Sequence, residues 1–229
     1  MNSKKVVNVI GAGLAGSEAC FQLLKRGYTV NLYEMKPTKF SPAHKNSNFA
    51  ELVCSNSLKS NDVTSACGLL KQELRMLNSL VISVADEVKV PSGQALSVDR
   101  EQFSEKITQK IKSFKNLNLI TEEVTSFDLN LPTIIATGPL TSNSLVEFLK
   151  TIFNSEYLYF FDAIAPIVTY SGIDFNSAFI ADRYDKGTGD YVNCPLNKQE
   201  YEEFYNALIS AETVKLKDFE NSKVFEGCM

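Results

Sequence analysis

Three glycines near the start of the chain have the spacing of a dinucleotide-binding turn. Gly11, Gly13 and Gly16 follow directly after an apolar run at 6–10. In such a turn the first glycine permits the bend, the second lets a pyrophosphate approach the backbone, and the third allows helix and strand to pack closely. Glu34 lies 18 positions beyond the last glycine, where a carboxylate accepts hydrogen bonds from a ribose and would repel a 2′-phosphate. The pattern predicts an FAD or NAD site, with a fortuitous glycine-rich turn as the alternative. The predicted cofactor-binding residues here are Gly11, Gly13, Leu14, Ala15, Gly16 and Glu34.

A second glycine-ended segment, LPTIIATG at 131–138, favours FAD. Its apolar strand runs into Ala136, Thr137 and Gly138, and is similar to the second nucleotide-contacting strand of flavoproteins that bind two dinucleotides. The alternative is a plain core strand that ends in a glycine turn. Combined with the first fingerprint, the segment predicts that Ala136, Thr137 and Gly138 also contact the cofactor.

The cysteines form no recognisable metal or redox pair. Five of them, an odd number, stand at positions 20, 54, 67, 194 and 228 without CxxC spacing, and His44 is the single histidine. No metal is therefore expected, and the thiols are typical of a reducing cytoplasm. Cys54 lies in the polar stretch CSNS. A reactive thiol would be expected in such a loop near a cofactor, and an inert cysteine is the alternative. His44 is interpreted as a possible base or as a surface or capping residue.

The composition indicates an ordinary globular protein. The 229 residues are 44% hydrophobic and 22% charged, with a net charge of −4 and a pI near 5.2. This acidic balance gives no electrostatic argument for nucleic acid, so any RNA site must be a local patch. No apolar run is long enough to span a bilayer, so no membrane is expected.

The elements that must position these residues follow from local patterns. The sequence predicts strands at 6–10 and 29–34 around a helix that ends near Gly27, and a strand at 131–135. It predicts an amphipathic helix at 68–80, a helix capped by Asp99, and another helix at 197–212. The expected fold class is α/β, a Rossmann-like FAD-binding domain with a mainly parallel sheet. We expect that domain at 1–160 and the start of an α+β insertion domain at 161–229.

Longer strings identify a specific family. GAGLAGSEA, FAELVCSNSLKS, FFDAIAPIV, RYDKGTGDYVNCP and FEGCM together resemble TrmFO, the folate- and FAD-dependent tRNA (uracil-5-)-methyltransferase family, which is related to the flavoprotein GidA (MnmG). The resemblance covers essentially the whole chain. FAELVCSNSL and FEGCM are the specific strings, whereas the glycine fingerprint is shared by many flavoproteins.

This resemblance implies both a reaction and its residues. The family makes 5-methyluridine in the T-loop of tRNA, with methylenetetrahydrofolate as carbon donor, FADH2 as reductant and NAD(P)H to recharge the flavin. By resemblance, Cys228 is the nucleophile that adds to uracil carbon 6, and Cys54 removes the carbon 5 proton or supports that step. Arg183, Tyr184 and Lys186 would lie on the folate or nucleic-acid side, a solvated loop being the alternative.

Other functions stay open at this point. The family continues well beyond the FEGC motif, so we expect an N-terminal half with little methyltransferase activity alone. The same chemistry on ribosomal RNA is one alternative. A GidA-like flavin-binding tRNA-modification module without its own methyl transfer is another. A general NAD(P)H oxidase or disulfide reductase is disfavoured, because the sequence holds no redox cysteine pair.

Overall fold

The computed structural model describes residues 5–153, 168–182 and 189–212. These residues fall into two compact units. The first contains residues 5–90 and 95–153, and the second contains residues 91–94, 168–182 and 189–212. The domain boundary expected after residue 160 lies outside the described residues and stays a prediction.

The first unit contains seven strands and five helices within its described residues. In chain order they are β1 (Val6–Ile10), α1 (Leu14–Lys25), β2 (Thr29–Tyr33), β3 (Ser57–Ser60), α2 (Ala66–Met76), α3 (Leu80–Glu87), β4 (Lys89–Val90), β5 (Ala95–Val98), α4 (Arg100–Lys112), β6 (Leu117–Ile120), β7 (Thr133–Ile135) and α5 (Asn143–Phe153).

A parallel sheet organises this unit. Its strand order is β6-β2-β1-β7, and every neighbouring pair is parallel. Val9, Val30 and Leu32 are fully buried in the core that also takes in residues of α1, α3 and α4. Burying each such side chain stabilises the fold by about 1.5–3 kcal/mol. The predicted Rossmann-like α/β fold with a parallel sheet is confirmed.

Parallel strands bring the predicted site residues to one edge of the sheet, because their carboxyl ends all point the same way. The Gly11 amide, just after β1, donates to the Tyr33 carbonyl at 2.8 Å. The Ala136 amide, just after β7, donates to the Ile10 carbonyl at 2.8 Å. Three chain segments that are distant in sequence are therefore bonded side by side.

The segment between β2 and α4 differs from the sequence-based expectation in two ways. β3 pairs with β5 in a small antiparallel sheet of order β3-β5-β4, which the polar sequence around β3 did not predict. The single helix predicted at 68–80 is wrong, because α2 ends at Met76 and α3 begins at Leu80. Asn78 takes a left-handed φ of 56°, and the Ser79 hydroxyl caps α3 by accepting from the Ile82 amide.

The second unit has helical and antiparallel structure. Its strands β8 (Phe179–Ile180) and β9 (Val192–Asn193) pair antiparallel, and α6 (Lys198–Ser210) follows a short 3-10 turn and these strands. Asn197 and Glu200 form a reciprocal capping box at the start of α6. The helix predicted at 197–212 is confirmed.

Replacing Gly16 tests the close packing of the first turn against α1. A Cβ at this position would lie 1.8 Å from the Gly11 carbonyl oxygen, a backbone atom that cannot turn away. We expect Gly16→Ala to lower the free energy of unfolding by about 3 kcal/mol, measured by urea denaturation. Gly13→Ala is the matched control, because a Cβ at Gly13 meets nothing within 4 Å. An unchanged urea midpoint for Gly16→Ala would contradict this packing.

Candidate functional site

A cavity of about 550 Å³ lies at the carboxyl ends of β1, β2 and β7. Eight of the nine residues predicted to contact a cofactor line it: Gly11, Gly13, Leu14, Ala15, Glu34, Ala136, Thr137 and Gly138. The ninth, Gly16, does not line the cavity. It is buried under the turn, where it packs against Gly11 and the Ala136 side chain.

The N-terminus of α1 offers unsatisfied backbone donors to this cavity. Its N-cap is Gly13, which has no side chain to accept from the first turn. In contrast, Ser, Ser, Asp and Asn side chains cap the N-termini of α2, α3, α4 and α6. Within the described residues, the Leu14 and Ala15 amides have no hydrogen-bond partner, and both residues line the cavity. Free amides and the helix dipole together attract an anion.

Gly13 leaves space that the protein itself does not fill. Its φ of −69° is accessible to any residue, and a Cβ there would meet no atom within 4 Å. Neither backbone strain nor internal packing therefore requires glycine at this position. Gly11 is different, because its φ is 94° and a Cβ on it would lie 2.7 Å from the Ala136 carbonyl oxygen, and both features require glycine. The open face of Gly13 is what close approach of a ligand to the backbone would need.

Glu34 is a buried carboxylate that the backbone holds in place at the cavity wall. It is 7% exposed, its Oε2 accepts from the Ala12 amide at 2.9 Å, and its Oε1 accepts from the Lys36 amide at 3.0 Å. A carboxylate has about four acceptor positions, so each oxygen keeps a lone pair for a further donor. Two ribose hydroxyls are donors of the matching type.

The loop after β7 forms the opposite wall. Gly138 takes a φ of 66°, in the left-handed region that favours glycine. The Thr137 and Thr141 hydroxyls are 2.6 Å apart, and the Thr141 hydroxyl donates to the Gly138 carbonyl at 2.9 Å. These bonds fix the turn between β7 and α5 beside the glycine turn of β1.

A buried lysine organises the long loop between β2 and β3. The Lys36 ammonium donates to the carbonyls of Asn46 and Asn48 at 3.0 and 2.6 Å, and lies 3.6 Å from a Glu51 carboxylate oxygen. The Glu51 carboxylate also accepts from the Lys45 and Asn46 amides. Because Lys36 is only 5% exposed, these bonds compensate for the cost of its desolvation.

His44 lies on this loop and lines the cavity. It is half-buried, and its Nδ1 is 2.5 Å from the Ser41 hydroxyl oxygen. Burial, with the positive charge of Lys36 as a second cause, lowers the pKa of His44 below its ordinary value, while Glu51 and Glu34 oppose the shift. His44 therefore lies at the cavity wall, and its possible role as a base stays a prediction.

Cys54 is exposed and follows Val53, which lines the cavity. The Arg100 guanidinium donates to the Cys54 carbonyl at 3.3 Å, and Asn56 is bonded to Val98 of β5. On the other side, the Ala50 amide donates to the Ala12 carbonyl in the glycine turn at 2.8 Å. Cys54 thus stands on a segment that is anchored at both sides, one anchor being the glycine turn.

Several predicted site residues cannot be placed. Cys228, Arg183, Tyr184 and Lys186 lie outside the described residues, and their roles stay predictions. The sequence analysis did not single out other residues that line the cavity: Lys36, Ser41, Glu51, Glu122, Glu123 and Val124. Those at 122–124 follow β6, so a rule that reads the residues after every parallel strand would have found them.

Two features are absent from the described residues. No group of three or more His, Cys, Asp or Glu side chains in that part of the chain could hold a metal ion. None of its helices is long and apolar enough to cross a membrane.

Gly13→Ala tests whether glycine is needed at this position for ligand binding or for folding. Its methyl group would project into the cavity and contact no protein atom, so we expect an unchanged free energy of unfolding. We expect its affinity for FAD to fall at least about tenfold, which corresponds to about 1.4 kcal/mol. Flavin fluorescence titration and urea denaturation measure the two quantities. Wild-type FAD affinity in this variant would show that no ligand approaches Gly13.

Thiol alkylation tests the expected difference in reactivity between Cys54 and Cys20 of the first unit. Burial raises the pKa of Cys20 to about 12, so its thiolate is scarce at neutral pH, whereas Cys54 is exposed. We expect iodoacetamide near neutral pH to label Cys54 at least about 100-fold faster than Cys20 in the native chain. Peptide mass spectrometry measures both sites, with exposed Cys194 as the positive control and urea-unfolded chain as the reference. Equal native rates at Cys54 and Cys20 would contradict the burial of Cys20.

Comparison with curated proteins gives high similarity over nearly the whole chain. A "Methylenetetrahydrofolate--tRNA-(uracil-5-)-methyltransferase TrmFO" of Natranaerobius thermophilus is 57% identical over 97% of this chain and 52% of its own length. Proteins of the same name from Acetivibrio thermocellus and Fusobacterium nucleatum are 56% and 55% identical, over 97% and 99% of this chain and 51% and 52% of their own lengths. The chain spans about half the length of the curated relatives it matches.

Similarity to solved structures is weaker. The tetrameric form of 2-methyl-3-hydroxypyridine-5-carboxylic acid oxygenase is 14% identical over 56% of this chain and 34% of its own, with a TM-score of 0.35. The fold assignment therefore depends on the observed sheet topology and on the family match.

The family model described as "Glucose inhibited division protein A" matches residues 6–229. The chain belongs to the glucose-inhibited division protein A family.

Proposed function

We propose that this chain is the FAD-binding part of a folate-dependent tRNA (uracil-5-)-methyltransferase. The relatives that are 55–57% identical to it carry the name of that enzyme. We further propose that residues 1–160 form the FAD domain, that 161–229 begin an insertion domain, and that the protein works in the cytoplasm.

The observation that carries the proposal is the cavity at the sheet edge. It combines the uncapped N-terminus of α1, the open face of Gly13 and the fixed Glu34 carboxylate. Each matches one part of a dinucleotide: the amides match the pyrophosphate, the glycine its close approach, and the carboxylate a ribose. A cradle with these three features fits FAD.

Different residues of the cavity would bind different parts of FAD. The Leu14 and Ala15 amides would donate to the pyrophosphate, and Glu34 would accept from the ribose hydroxyls. The loop at 136–138 would cover the other side of the cofactor. Reduced FAD, once bound, supplies the electrons for conversion of the folate one-carbon unit to a methyl group. NAD(P)H is the proposed source of those electrons, and methylenetetrahydrofolate the carbon donor.

The protein thiols would act on uracil. Carbon 5 of uracil is a poor nucleophile, so a thiolate must first add at carbon 6, which moves the C5–C6 π electrons into an enolate. We assign this addition to Cys228. Carbon 5 would then take the one-carbon unit, whose bonds to the folate nitrogens break. Cys54 would remove the proton on carbon 5, and its electron pair would restore the C5–C6 double bond as the Cys228 thiolate leaves carbon 6. Exposed Cys54 on an anchored segment beside the cavity is consistent with such a role.

The substrate side of the proposal concerns RNA and folate. Arg183 and Lys186 would pair with phosphates or a folate glutamate tail, and Tyr184 would stack on a ring. We propose tRNA as the substrate, with ribosomal RNA as the alternative. Mass spectrometry of tRNA and ribosomal RNA from a deletion strain decides between them: loss of 5-methyluridine from ribosomal RNA alone would contradict the tRNA assignment.

The thiol roles are tested in the full-length enzyme of which this chain is the proposed part. We expect Cys54→Ala in that enzyme to lower the methylation rate roughly 10²–10⁴-fold, the usual contribution of a proton-transfer group. The assay uses a tRNA transcript, methylenetetrahydrofolate and NAD(P)H. Cys20→Ala is the matched control for cysteine loss, because Cys20 is buried. If the Cys54 variant keeps its bound FAD and its full methylation rate, the Cys54 thiol takes no part in methyl transfer.

A further inference from the structure

We infer that His44 is a protonatable donor to the pyrophosphate of the bound dinucleotide, so that cofactor affinity rises as pH falls. This inference rests on the proposed FAD binding and adds to it a residue and a pH dependence. Three observations lead to it: the charge of the cavity wall, the engagement of its lysine, and the hydrogen bonding of His44.

The charge of the cavity wall is unfavourable for an anion. Its side chains include four carboxylates and one ammonium: Glu34, Glu51, Glu122, Glu123 and Lys36. A hydrogen bond from Lys39, first among several causes, holds the pKa of Glu123 below its usual value, so this carboxylate stays charged at neutral pH. A pyrophosphate brings two further negative charges. Backbone amides and the helix dipole attract it, and an additional positive charge would offset the surrounding carboxylates.

Lys36 is poorly placed to supply that charge. Its ammonium already donates to two backbone carbonyls, those of Asn46 and Asn48, and faces Glu51. Moving it towards a ligand would break these bonds and would leave Glu51 without its buried counterion. Among the described residues that line the cavity, no other is a Lys or Arg. His44 is then the remaining side chain of the wall that can become cationic near neutral pH.

The hydrogen bonding of His44 leaves one ring nitrogen available. The Ser41 hydroxyl oxygen accepts long bonds from the Ala43 and His44 amides, at 3.4 Å each, so its own hydrogen is free to donate to Nδ1 at 2.5 Å. That donation places the hydrogen of the neutral ring on Nε2. Within the described residues, Nε2 has no hydrogen-bond partner. The neutral imidazole therefore offers one N–H donor, and protonation adds a charge to it.

The direction of the pH effect follows from linkage. In the free protein, burial and Lys36 lower the pKa of His44, so its ring is neutral at pH 7, with Glu34 and Glu51 opposing. A pyrophosphate beside the ring favours the charged form and raises that pKa. FAD binding must then be accompanied by proton uptake when the pH lies between the pKa of His44 in the free protein and its pKa in the complex. Affinity increases as pH falls through the pKa of the complex and levels off below that of the free protein.

The single histidine makes this inference directly testable. FAD is titrated into the purified chain by calorimetry between about pH 6 and 8, in two buffers with different ionisation heats. The wild type should take up a fraction of a proton per FAD and bind more tightly at lower pH, by at most tenfold per unit. His44→Gln keeps an N–H donor and does not titrate, so it should show neither effect. FAD itself does not change protonation in this range.

The outcomes separate the two levels of the proposal. FAD binding by the wild type without proton uptake and with a flat pH dependence would overturn the role of His44 and leave FAD binding intact. The same uptake in His44→Gln would also overturn it. No FAD binding at any pH would overturn both proposals. The wild-type measurement needs no variant, so misfolding of His44→Gln, checked by urea denaturation, would not remove the test.

Discussion

The backbone of Ala12 is the point on which the site depends. Its amide donates to Glu34 at 2.9 Å, and its carbonyl accepts from the Ala50 amide at 2.8 Å and the Ser17 hydroxyl at 3.1 Å. The backbone N–H and C=O of one buried residue thus join the glycine turn to the end of β2, to α1 and to the segment that carries Cys54. Leaving any of these buried polar groups unpaired costs about 1–3 kcal/mol, so the turn and its neighbours hold one another in place.

The backbone bonds of Ala12 bring the glycine turn and the segment that carries Cys54 side by side. The turn alone presents donors for an anion, as many nucleotide-binding proteins do. The bond from Ala50 to Ala12 brings a loop from beyond β2 against that turn, and with it Val53 to the cavity wall. A cofactor on the turn would therefore lie beside the segment of Cys54. The proposed chemistry requires such a neighbourhood.

The fingerprint residues were predictable because their roles are local. Gly11 needs a positive φ, Gly16 needs close packing, and Glu34 directly follows β2, and all three properties are indicated by spacing along the chain. The break between α2 and α3 was missed because helical periodicity continues through Asn78, whose left-handed φ ends the first helix. The place of His44 at the cavity wall was not predictable, because polar loop residues carry no periodic pattern that reveals which of them fold inward.

The sequence by itself determined the glycine turn, the parallel α/β fold, the resemblance to the methyltransferase family and the identity of the candidate thiols. These properties depend on residue type and short-range spacing. Only the tertiary structure decided that Lys36 is buried and engaged by carbonyls and Glu51, that four carboxylates share the cavity wall, and that His44 faces it. The physical reason is that burial and electrostatic environment arise from contacts between distant segments, which spacing along one chain does not record.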